Sequence, residues 1–222
     1  TNLRSRLILT SIAATLFTLI LIQDVYGAII RVPGDAQTIQ QAINIARQGD
    51  EIIVSPGIYR ETLVIEDKMR IILRSTDPDA DPKPVTIRAN ADRPTITVRD
   101  SSEITIRGFI ITSGTEIDPT TLEEVSVGGG IDVIGSQDIV LDELELVENI
   151  GRTISIDSSS VTITNIDIPE PIFEEGDEID GISITNVSDV EMENVNIENN
   201  PGDGIFIENS SLRYVDGAVT GN

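Results

Sequence analysis

The sequence contains no cysteine, no histidine and no tryptophan, and only 3% of its 222 residues are aromatic. Without cysteine the chain has no disulfide framework, and the lack of both cysteine and histidine disfavours a tetrahedral zinc site. The same absences exclude a Ser-His-Asp or Cys-His catalytic mechanism within this chain.

Positive charge is scarce as well, because 15 Lys and Arg residues stand against 38 Asp and Glu, which gives a formal net charge of −23. Lys and Arg form no run, so there is no basic patch for nucleic acid or for an anionic membrane surface. We therefore predict no nucleic-acid partner, and no membrane contact beyond the N-terminal segment. The acidic surface fits either simple solubility or the binding of cations.

The N-terminal segment has the order of a secretory signal peptide. Arg4 and Arg6 precede an apolar run from Leu7 to Ile22, and Val25-Tyr26-Gly27 follows as a cleavage region. We predict a signal peptide over residues 1–27 and an exported protein that is secreted or held in the cell envelope. The alternative is a retained membrane anchor, since the run approaches the ~18 apolar residues that span a bilayer.

The second half of the chain repeats a short strand four times. The separation is 23 residues from Ile131 to Ile154 and from Ile182 to Ile205, and 28 residues from Ile154 to Ile182. A fixed period of this size is typical of a solenoid, whose units bury their apolar faces by stacking on each other. The four copies are Gly130–Val133, Thr153–Ile156, Gly181–Ile184 and Gly204–Ile207.

Two further strands follow each copy, so each repeat is one coil of three strands. The residue before the third strand is Gly108, Glu143, Asn165, Asn194 or Asp216, and most of these types tolerate left-handed backbone angles. We therefore predict an all-β fold, a right-handed parallel β-helix with three sheets over residues 51–222, with a sharp bend at this position. The rows expected to be buried are Ile131, Val133, Ile154, Ile156, Ile182, Ile184, Ile205 and Ile207.

Residues 28–50 are predicted to form an N-terminal cap, with a strand followed by a short amphipathic helix. Thr38 and Gln41 are spaced as a capping box, and an apolar helix face would cover the open end of the first coil. At the other end, Ala218–Thr220 is a third strand with only Gly221 and Asn222 after it. We expect the β-helix to be truncated there, with end-to-end self-association as the alternative.

The segment behind the cap resembles the opening of pectin-lyase-like β-helix proteins. That superfamily includes pectin methylesterases, polysaccharide lyases and periplasmic proteins of the copper-site maturation type, so the resemblance implies the fold and leaves the chemistry open. The residues that carry it are Val32-Pro33, Thr38-Ile39-Gln40, Ala42-Ile43, Gly49-Asp50, Val54, Pro56-Gly57, Tyr59-Arg60-Glu61 and Leu73-Arg74.

The catalytic motifs of this superfamily are incomplete here. Its esterases use two Asp on neighbouring coils and an Arg, whereas Gln137-Asp138 is followed one coil later by Ser159 and Ser160. The esterase assignment therefore fails on these residues. The resemblance also implies that lyases of this superfamily use Ca²⁺ with an Arg or Lys base.

Two insertions, from about Thr115 to Val127 and from Pro169 to Asp180, leave after a third strand and return before a first strand. We expect them to form the walls of an acidic cleft over the first sheet, where loops on a rigid scaffold concentrate function. The wall residues are Glu116, Asp118, Glu123 and Glu124 in one loop, and Glu170, Glu174, Glu175, Asp177, Glu178 and Asp180 in the other. The predicted floor is the outward row Thr97, Asp132, Ser155, Ser183 and Phe206, of which the last four are candidate substrate-binding residues.

Carboxylates favour Ca²⁺ as a hard cation, and Asp157, Asp180 and Asp203 are the candidate ligands. Arg152 occupies the register of Asp180 and Asp203 one coil earlier, as a candidate catalytic base or counter-charge. The alternative is that Asp-Gly is an ordinary turn before a first strand. Similarly, the Asp/Pro-rich stretch Thr76–Pro82 is interpreted as a surface turn, and the third-sheet row Ile110, Glu145, Asp167 and Asn196 as solvated surface.

Two functions remain open from the sequence. The first is an exported β-helix that binds carbohydrate or serves a structural surface role without catalysis, which the lack of a complete catalytic motif favours. The second is a calcium-dependent polysaccharide lyase or a related carbohydrate-active enzyme. A polysaccharide is the predicted partner of the carbohydrate-binding protein and of the lyase. The purely structural role would need none.

Overall fold

The computed structural model describes residues 27–117, 124–127, 129–169, 180–186 and 188–222. The predicted signal peptide therefore lies, apart from Gly27, outside the described residues. Within the described ranges, no helix combines the length and the apolar character needed to cross a bilayer.

The described residues form one short helix and eighteen strands. Their bounds are β1 Ile29–Val32, α1 Ile39–Ile45, β2 Glu51–Val54, β3 Gly57–Arg60, β4 Leu63–Glu66, β5 Met69–Ser75, β6 Val85–Arg88, β7 Ile96–Arg99, β8 Ser102–Thr112, β9 Gly114–Ile117, β10 Glu124–Val127, β11 Ile131–Ile134, β12 Ile139–Val147, β13 Ile154–Asp157, β14 Ser160–Ile168, β15 Ile182–Thr185, β16 Asp189–Glu198, β17 Ile205–Ile207 and β18 Ser211–Thr220.

The first strands of successive coils stack into one parallel sheet, called the first sheet, in the order β4-β7-β11-β13-β15-β17. Ile131 pairs with Ile96 on one side and with Ile154 on the other, and Ile182 pairs with Ile205. The coil predicted from the repeat is confirmed, because each strand is hydrogen-bonded to the strand one period away rather than to its neighbour in sequence.

The second and third strands of each later coil are one long strand with a bend. The five residues predicted to take left-handed angles all do so, which confirms the bend. Part of this corner is also hydrogen-bonded along the stack, since Asn194 Nδ2 donates to Asn165 Oδ1 at 2.9 Å. The φ angles are 80° at Gly108, 53° at Glu143, 53° at Asn165, 55° at Asn194 and 52° at Asp216. The part of each long strand after this bend, together with β3 and β6, forms the third sheet.

A second left-handed row, which the sequence did not suggest, lies between the first and second strands of each coil. The row comprises Asp67, Asp100, Gly135, Ser158, Asn186 and Asn209, with φ between 49° and 58°. These sharp turns aim the serines that follow them into the interior of the β-helix.

These serines form a hydrogen-bonded stack that we call the serine ladder, made of Ser101, Ser136, Ser159, Ser188 and Ser210. Each Oγ accepts from a backbone N–H of the preceding coil, at distances of 3.0 to 3.2 Å. Each Oγ also donates to a nearby carbonyl, as Ser136 does to Ile134 at 2.9 Å. The turns leave these backbone N–H groups without a partner in a neighbouring strand. The serine hydroxyls of the ladder supply the missing acceptors.

The core consists of stacked aliphatic rows inside the coils. Ile131, Val133, Ile154, Ile156, Ile182 and Ile184 are all fully buried, as predicted. The prediction was wrong for the last coil, where Ile205 is half-buried and Ile207 is 43% exposed. A coil in the middle of the stack is covered on both faces, whereas among the described residues this coil has a neighbour on one face only.

The predicted cap is also present, since Ile39, Ala42 and Ile43 of α1 are buried against the first coil. Thr38 Oγ1 accepts from the backbone N–H of Gln41 at 3.1 Å. The carboxylate of Glu61 accepts from the N–H groups of Ile39 and Gln40 at 2.9 Å each, so it satisfies the start of the helix. Glu61 is therefore a structural residue.

The edge of the first sheet is covered by a side chain rather than by a strand. Gln40 Oε1 accepts from the N–H of Val64 at 2.7 Å, and Gln40 Nε2 donates to the carbonyl of Val64 at 3.0 Å. The amide thus replaces one residue of a neighbouring strand along β4. This arrangement protects an edge that would otherwise be open to pairing with another chain.

Candidate functional site

The first insertion lies where the sequence placed it, between a third strand and a first strand. Its described backbone is an antiparallel hairpin in which β9 pairs with β10. Residues 170–179 of the second insertion lie outside the described residues. The predicted acidic walls contributed by Asp118, Glu123, Glu170, Glu174, Glu175, Asp177 and Glu178 also lie outside them.

The predicted floor has the expected register. Asp132 pairs with Thr97 and Ser155, Ser155 pairs with Ser183, and Ser183 pairs with Phe206. The row therefore runs along the helix axis at the ~4.8 Å spacing of paired strands. Asp132, Ser155 and Phe206 are half-buried, but Ser183 is only 2% exposed and offers no free surface to a ligand.

A pocket of about 320 Å³ lies over this row. We call it the first-sheet pocket. It brings together three residues that the sequence singled out, Asp132, Arg152 and Ser155, whereas Phe206 and Ser183 lie outside it. Its full lining is Asp92, Arg93, Pro94, Gly129, Asp132, Ile150, Arg152 and Ser155.

Two glycines before β11 allow the backbone to pass close to the next coil. A Cβ at Gly130, where φ is 68°, would lie 2.3 Å from the carbonyl oxygen of Thr153. The side chain of Asn149, which is 1% exposed, accepts from the N–H of Gly130 at 2.9 Å and donates to the carbonyl of Ile111 at 3.1 Å. These contacts hold the segment that carries Arg152 at the rim of the pocket.

The formal charges of the lining are balanced, because it contains two aspartates, Asp92 and Asp132, and two arginines, Arg93 and Arg152. Burial raises the pKa of Asp132 above its ordinary value, and the positive charge of Arg152 opposes this rise. No ion pair within 4.0 Å holds Arg152 or Arg93 among the described residues. The described pocket therefore contains charges of both signs, and its arginines are available to a ligand.

Asp92, Arg93 and Pro94 were missed by reasoning from the sequence. The register of the repeats could have identified them. Pro94 lies two positions before Ile96, just as Arg152 lies two positions before Ile154, so the two residues occupy equivalent positions in their coils. In the structure, the N–H of Ile96 donates to the carbonyl of Gly130 at 3.3 Å, which fixes this correspondence.

The three candidate calcium ligands are not brought together. The N–H of Asp203 donates to Asp180 Oδ1 at 3.1 Å, so these two residues are adjacent in the stack. Asp157 lies at the other end of its strand. At a rise of ~3.3 Å per residue, it is roughly 16 Å along the chain from Arg152. Its Oδ1 accepts from Ser158 Oγ at 2.8 Å and from Asn186 Nδ2 at 2.9 Å. In the part of the chain that the structure describes, no three metal-binding side chains cluster.

The stacked coils, the bent long strands and the capped first coil define the class of protein as a parallel β-helix. The chain also matches the family model of the right-handed β-helix region over residues 94–222, which is more than half of its length. The chain therefore belongs to the right-handed β-helix family, and the predicted handedness is confirmed. A search of curated proteins gives no significant match.

Solved structures show the same fold at low sequence identity. A candidate glycosyl hydrolase from Parabacteroides merdae is 14% identical with a TM-score of 0.57, and the match covers 77% of this chain and 82% of that protein. Pectin methylesterase from Yersinia enterocolitica is 17% identical with a TM-score of 0.54, over 73% and 54% of the two chains. ORF18 of Geobacillus virus E2 is 13% identical with a TM-score of 0.61, over 95% and 44%.

These structures share the parallel β-helix fold that the resemblance of the opening segment implied. At such low identity they show the fold alone. The match also spans only about half of the Yersinia esterase.

Proposed function

We propose that this protein binds a polysaccharide through the first-sheet pocket. The observation that carries the proposal is the combination of Arg152, which has no ion pair among the described residues, with the half-buried Asp132 in one pocket on a rigid sheet. A concave site with a few convergent polar groups and a perturbed pKa is the usual form of a ligand site.

The shape of the site supports a chain-like ligand. The half-buried Thr97, Asp132 and Ser155 occupy equivalent positions in three successive coils, so successive units of an extended ligand laid along the axis would meet equivalent positions. Ser155 and Asp132 would hydrogen-bond to sugar hydroxyls, and Arg152 would donate to a hydroxyl or to a uronate carboxylate. Several proteins of the same fold are named for pectin or for glycosides, which is consistent with such a ligand.

The second candidate function is a calcium-dependent polysaccharide lyase. It is favoured by one observation, that Arg152 lies in the same row as the adjacent Asp180 and Asp203. Those two carboxylates would hold the cation, and bound calcium would neutralise the acidic group of a uronate. Calcium takes 6–8 oxygen ligands. Among the described residues only Asp180 and Asp203 are adjacent there, and no complete catalytic motif accompanies them, so we favour binding without catalysis.

We also propose that the protein is exported, with residues 1–27 as its signal peptide, residues 28–50 as the cap and residues 51–222 as the β-helix. Expression of the chain in a cell with a secretory pathway tests this directly. Sequencing the N-terminus of the exported protein should give Ala28 as the first residue, whereas a membrane-bound product that retains residues 1–27 would support the anchor.

The binding proposal is tested by a glycan array followed by calorimetry on the polysaccharides it identifies. Arg152→Ala should weaken binding by roughly 10- to 100-fold, which is the loss of a charged hydrogen bond of about 1.5–3 kcal/mol. Arg213→Ala is the matched control, because Arg213 is exposed on the second strand of the last coil and pairs with Glu191. Equal affinities for the two variants would reject the site.

The lyase alternative has its own readout. Polygalacturonate or alginate is incubated with the protein and millimolar calcium, and the ultraviolet absorbance of an unsaturated product is followed. A rise that a chelator abolishes would establish the lyase. A flat trace with a glycan that binds would leave the carbohydrate-binding function standing alone.

A further inference from the structure

Charge is distributed unevenly along the axis of the β-helix. Residues 28–112, up to the end of β8, contain 12 acidic and 11 basic residues, so this part of the chain is almost neutral. Residues 113–222 contain 25 acidic residues against two arginines, Arg152 and Arg213. We call the coils up to β8 the early coils and those from β11 onward the later coils. Nearly all of the net charge therefore lies in the later coils and in the insertions beside them.

Ion pairs follow the same division. In the early coils, Arg99 Nε lies 2.8 Å from Glu66 Oε1, and these two residues pair in neighbouring strands. Among the described residues, the only ion pair formed by a cation of the later coils joins Arg213 to Glu191. Every other ion pair there uses a cation of residues 31–107. Attraction between opposite charges thus supports the early coils far more than the later ones.

Carboxylates of the later coils are hydrogen-bonded to neutral side chains of the adjacent coil. Asp157 Oδ1 accepts from Asn186 Nδ2 at 2.9 Å, and Asp189 Oδ1 accepts from Ser211 Oγ at 2.7 Å. An amide or a hydroxyl supplies a hydrogen bond but no positive charge. These bonds therefore orient the carboxylates and leave the repulsion between them in place.

The spacing of the carboxylates sets the range of this repulsion. Asp138 and Asp189 lie in line with Ser160 between them, because Ser160 Oγ accepts from the N–H of Asp138 and Ser160 pairs with Asp189. Two coils amount to roughly 10 Å at ~4.8 Å per coil. Glu145 and Asp167 are closer, since they pair directly in adjacent coils. The screening length of salt is about 30 Å at 0.01 M and about 3 Å at 1 M, so only concentrated salt removes these repulsions.

We infer that the later coils depend on dissolved salt for their stability, so that low ionic strength loosens them selectively. Each coil of a solenoid contacts only its neighbours, so one part of the stack can open while another part stays folded. The early coils are almost neutral and are joined by ion pairs, so screening gives them no comparable gain. Order in the later coils thus follows the salt content of the medium. This inference does not depend on a ligand in the first-sheet pocket.

Hydrogen exchange of the whole chain at 0.01 M and 0.5 M NaCl tests this inference region by region. Two triple variants are compared, each of which replaces three exposed carboxylates that form no ion pair among the described residues. The test variant, in the later coils, carries Glu193→Gln, Glu198→Gln and Glu208→Gln. The matched control, in the early coils, carries Asp67→Asn, Asp77→Asn and Asp100→Asn.

The expected result is that amides of β14 and β16 exchange about tenfold faster at 0.01 M than at 0.5 M NaCl, while those of β2 and β5 change less than about twofold. The test variant should reduce the salt effect on β14 and β16, and the control variant should leave it unchanged. The inference is overturned if the early and later coils respond equally to salt, if neither responds, or if the two variants change the salt effect alike.

Discussion

Replacing Ser136 by alanine tests whether the serine ladder stabilises the β-helix. Ser136 is fully buried, its Oγ accepts from the N–H of Ser101 at 3.2 Å and donates to the carbonyl of Ile134 at 2.9 Å. The carbonyl of Ile134 keeps a second donor in the variant, the N–H of Asp100 at 3.1 Å. The N–H of Ser101 loses its only described acceptor and stays buried.

The expected loss of stability follows from one unpaired donor, the N–H of Ser101. A buried N–H without an acceptor costs about 1–3 kcal/mol, whereas removing a single oxygen atom creates almost no cavity. We therefore expect a loss of about 2 kcal/mol in the free energy of unfolding. At about 2 kcal/mol per molar urea, such a loss lowers the midpoint of unfolding by roughly 1 M.

Urea unfolding followed by circular dichroism measures this shift. Ser211→Ala is the control, since Ser211 is exposed and its Oγ donates to Asp189 on the surface. A surface change of this kind stays within about 0.5 kcal/mol. If the midpoint for Ser136→Ala equals that for Ser211→Ala, the ladder contributes nothing and this reasoning is refuted.

Three further predictions concern the core, the pocket and the cap. Ile154→Asp should destabilise the chain by several kcal/mol because it buries an unpaired charge, and a variant that melts like the wild type in circular dichroism would contradict the buried row. Burial raises the pKa of Asp132, so the ionised carboxylate costs stability above that pKa. Asp132→Asn should therefore raise the urea midpoint at neutral pH, with a gain that shrinks as the pH falls toward the ordinary value of 3.8, and a gain that grows with acidification would be inconsistent with this sign. Glu61→Ala should cost about 1–2 kcal/mol by freeing two N–H groups of α1. The half-exposed pair of Glu66 with Arg99 is worth less than about 1 kcal/mol, so Glu66→Ala should have the smaller effect in the same assay.

The stacking of the coils could be predicted because a period of identical strands fixes which residues become neighbours. Once Ile131 is aligned with Ile154, the pairing of Asp132 with Ser155 follows without further information. The corner residues were predictable for a similar reason, since Gly, Asn and Asp adopt left-handed angles at little cost.

The serine ladder was not predictable from the same pattern. Serine is common in ordinary surface turns, so a serine after each first strand does not show whether its hydroxyl points outward or inward. Only the structure shows that the turns before Ser101 and Ser136 aim these hydroxyls inward.

The register of the coils contains part of the candidate site. Alignment of the coils places Arg152 beside Asp180 and already separates Asp157 from both, because Asp157 lies farther along its strand. The contact of Lys83 with Glu143, whose separation is 60 residues, is by contrast a property of the folded chain. A loop that crosses neighbouring coils has no periodic signal in the sequence.

Hydrogen exchange of the backbone amides, with and without a saturating polysaccharide, locates the binding surface most directly. The account predicts slower exchange in bound protein at residues 91–95, 129–132 and 149–155, which line the first-sheet pocket, and unchanged exchange at residues 211–220 of the last strand. Protection that is absent from all three pocket segments while the glycan is demonstrably bound would contradict the assignment of the first-sheet pocket as the binding site.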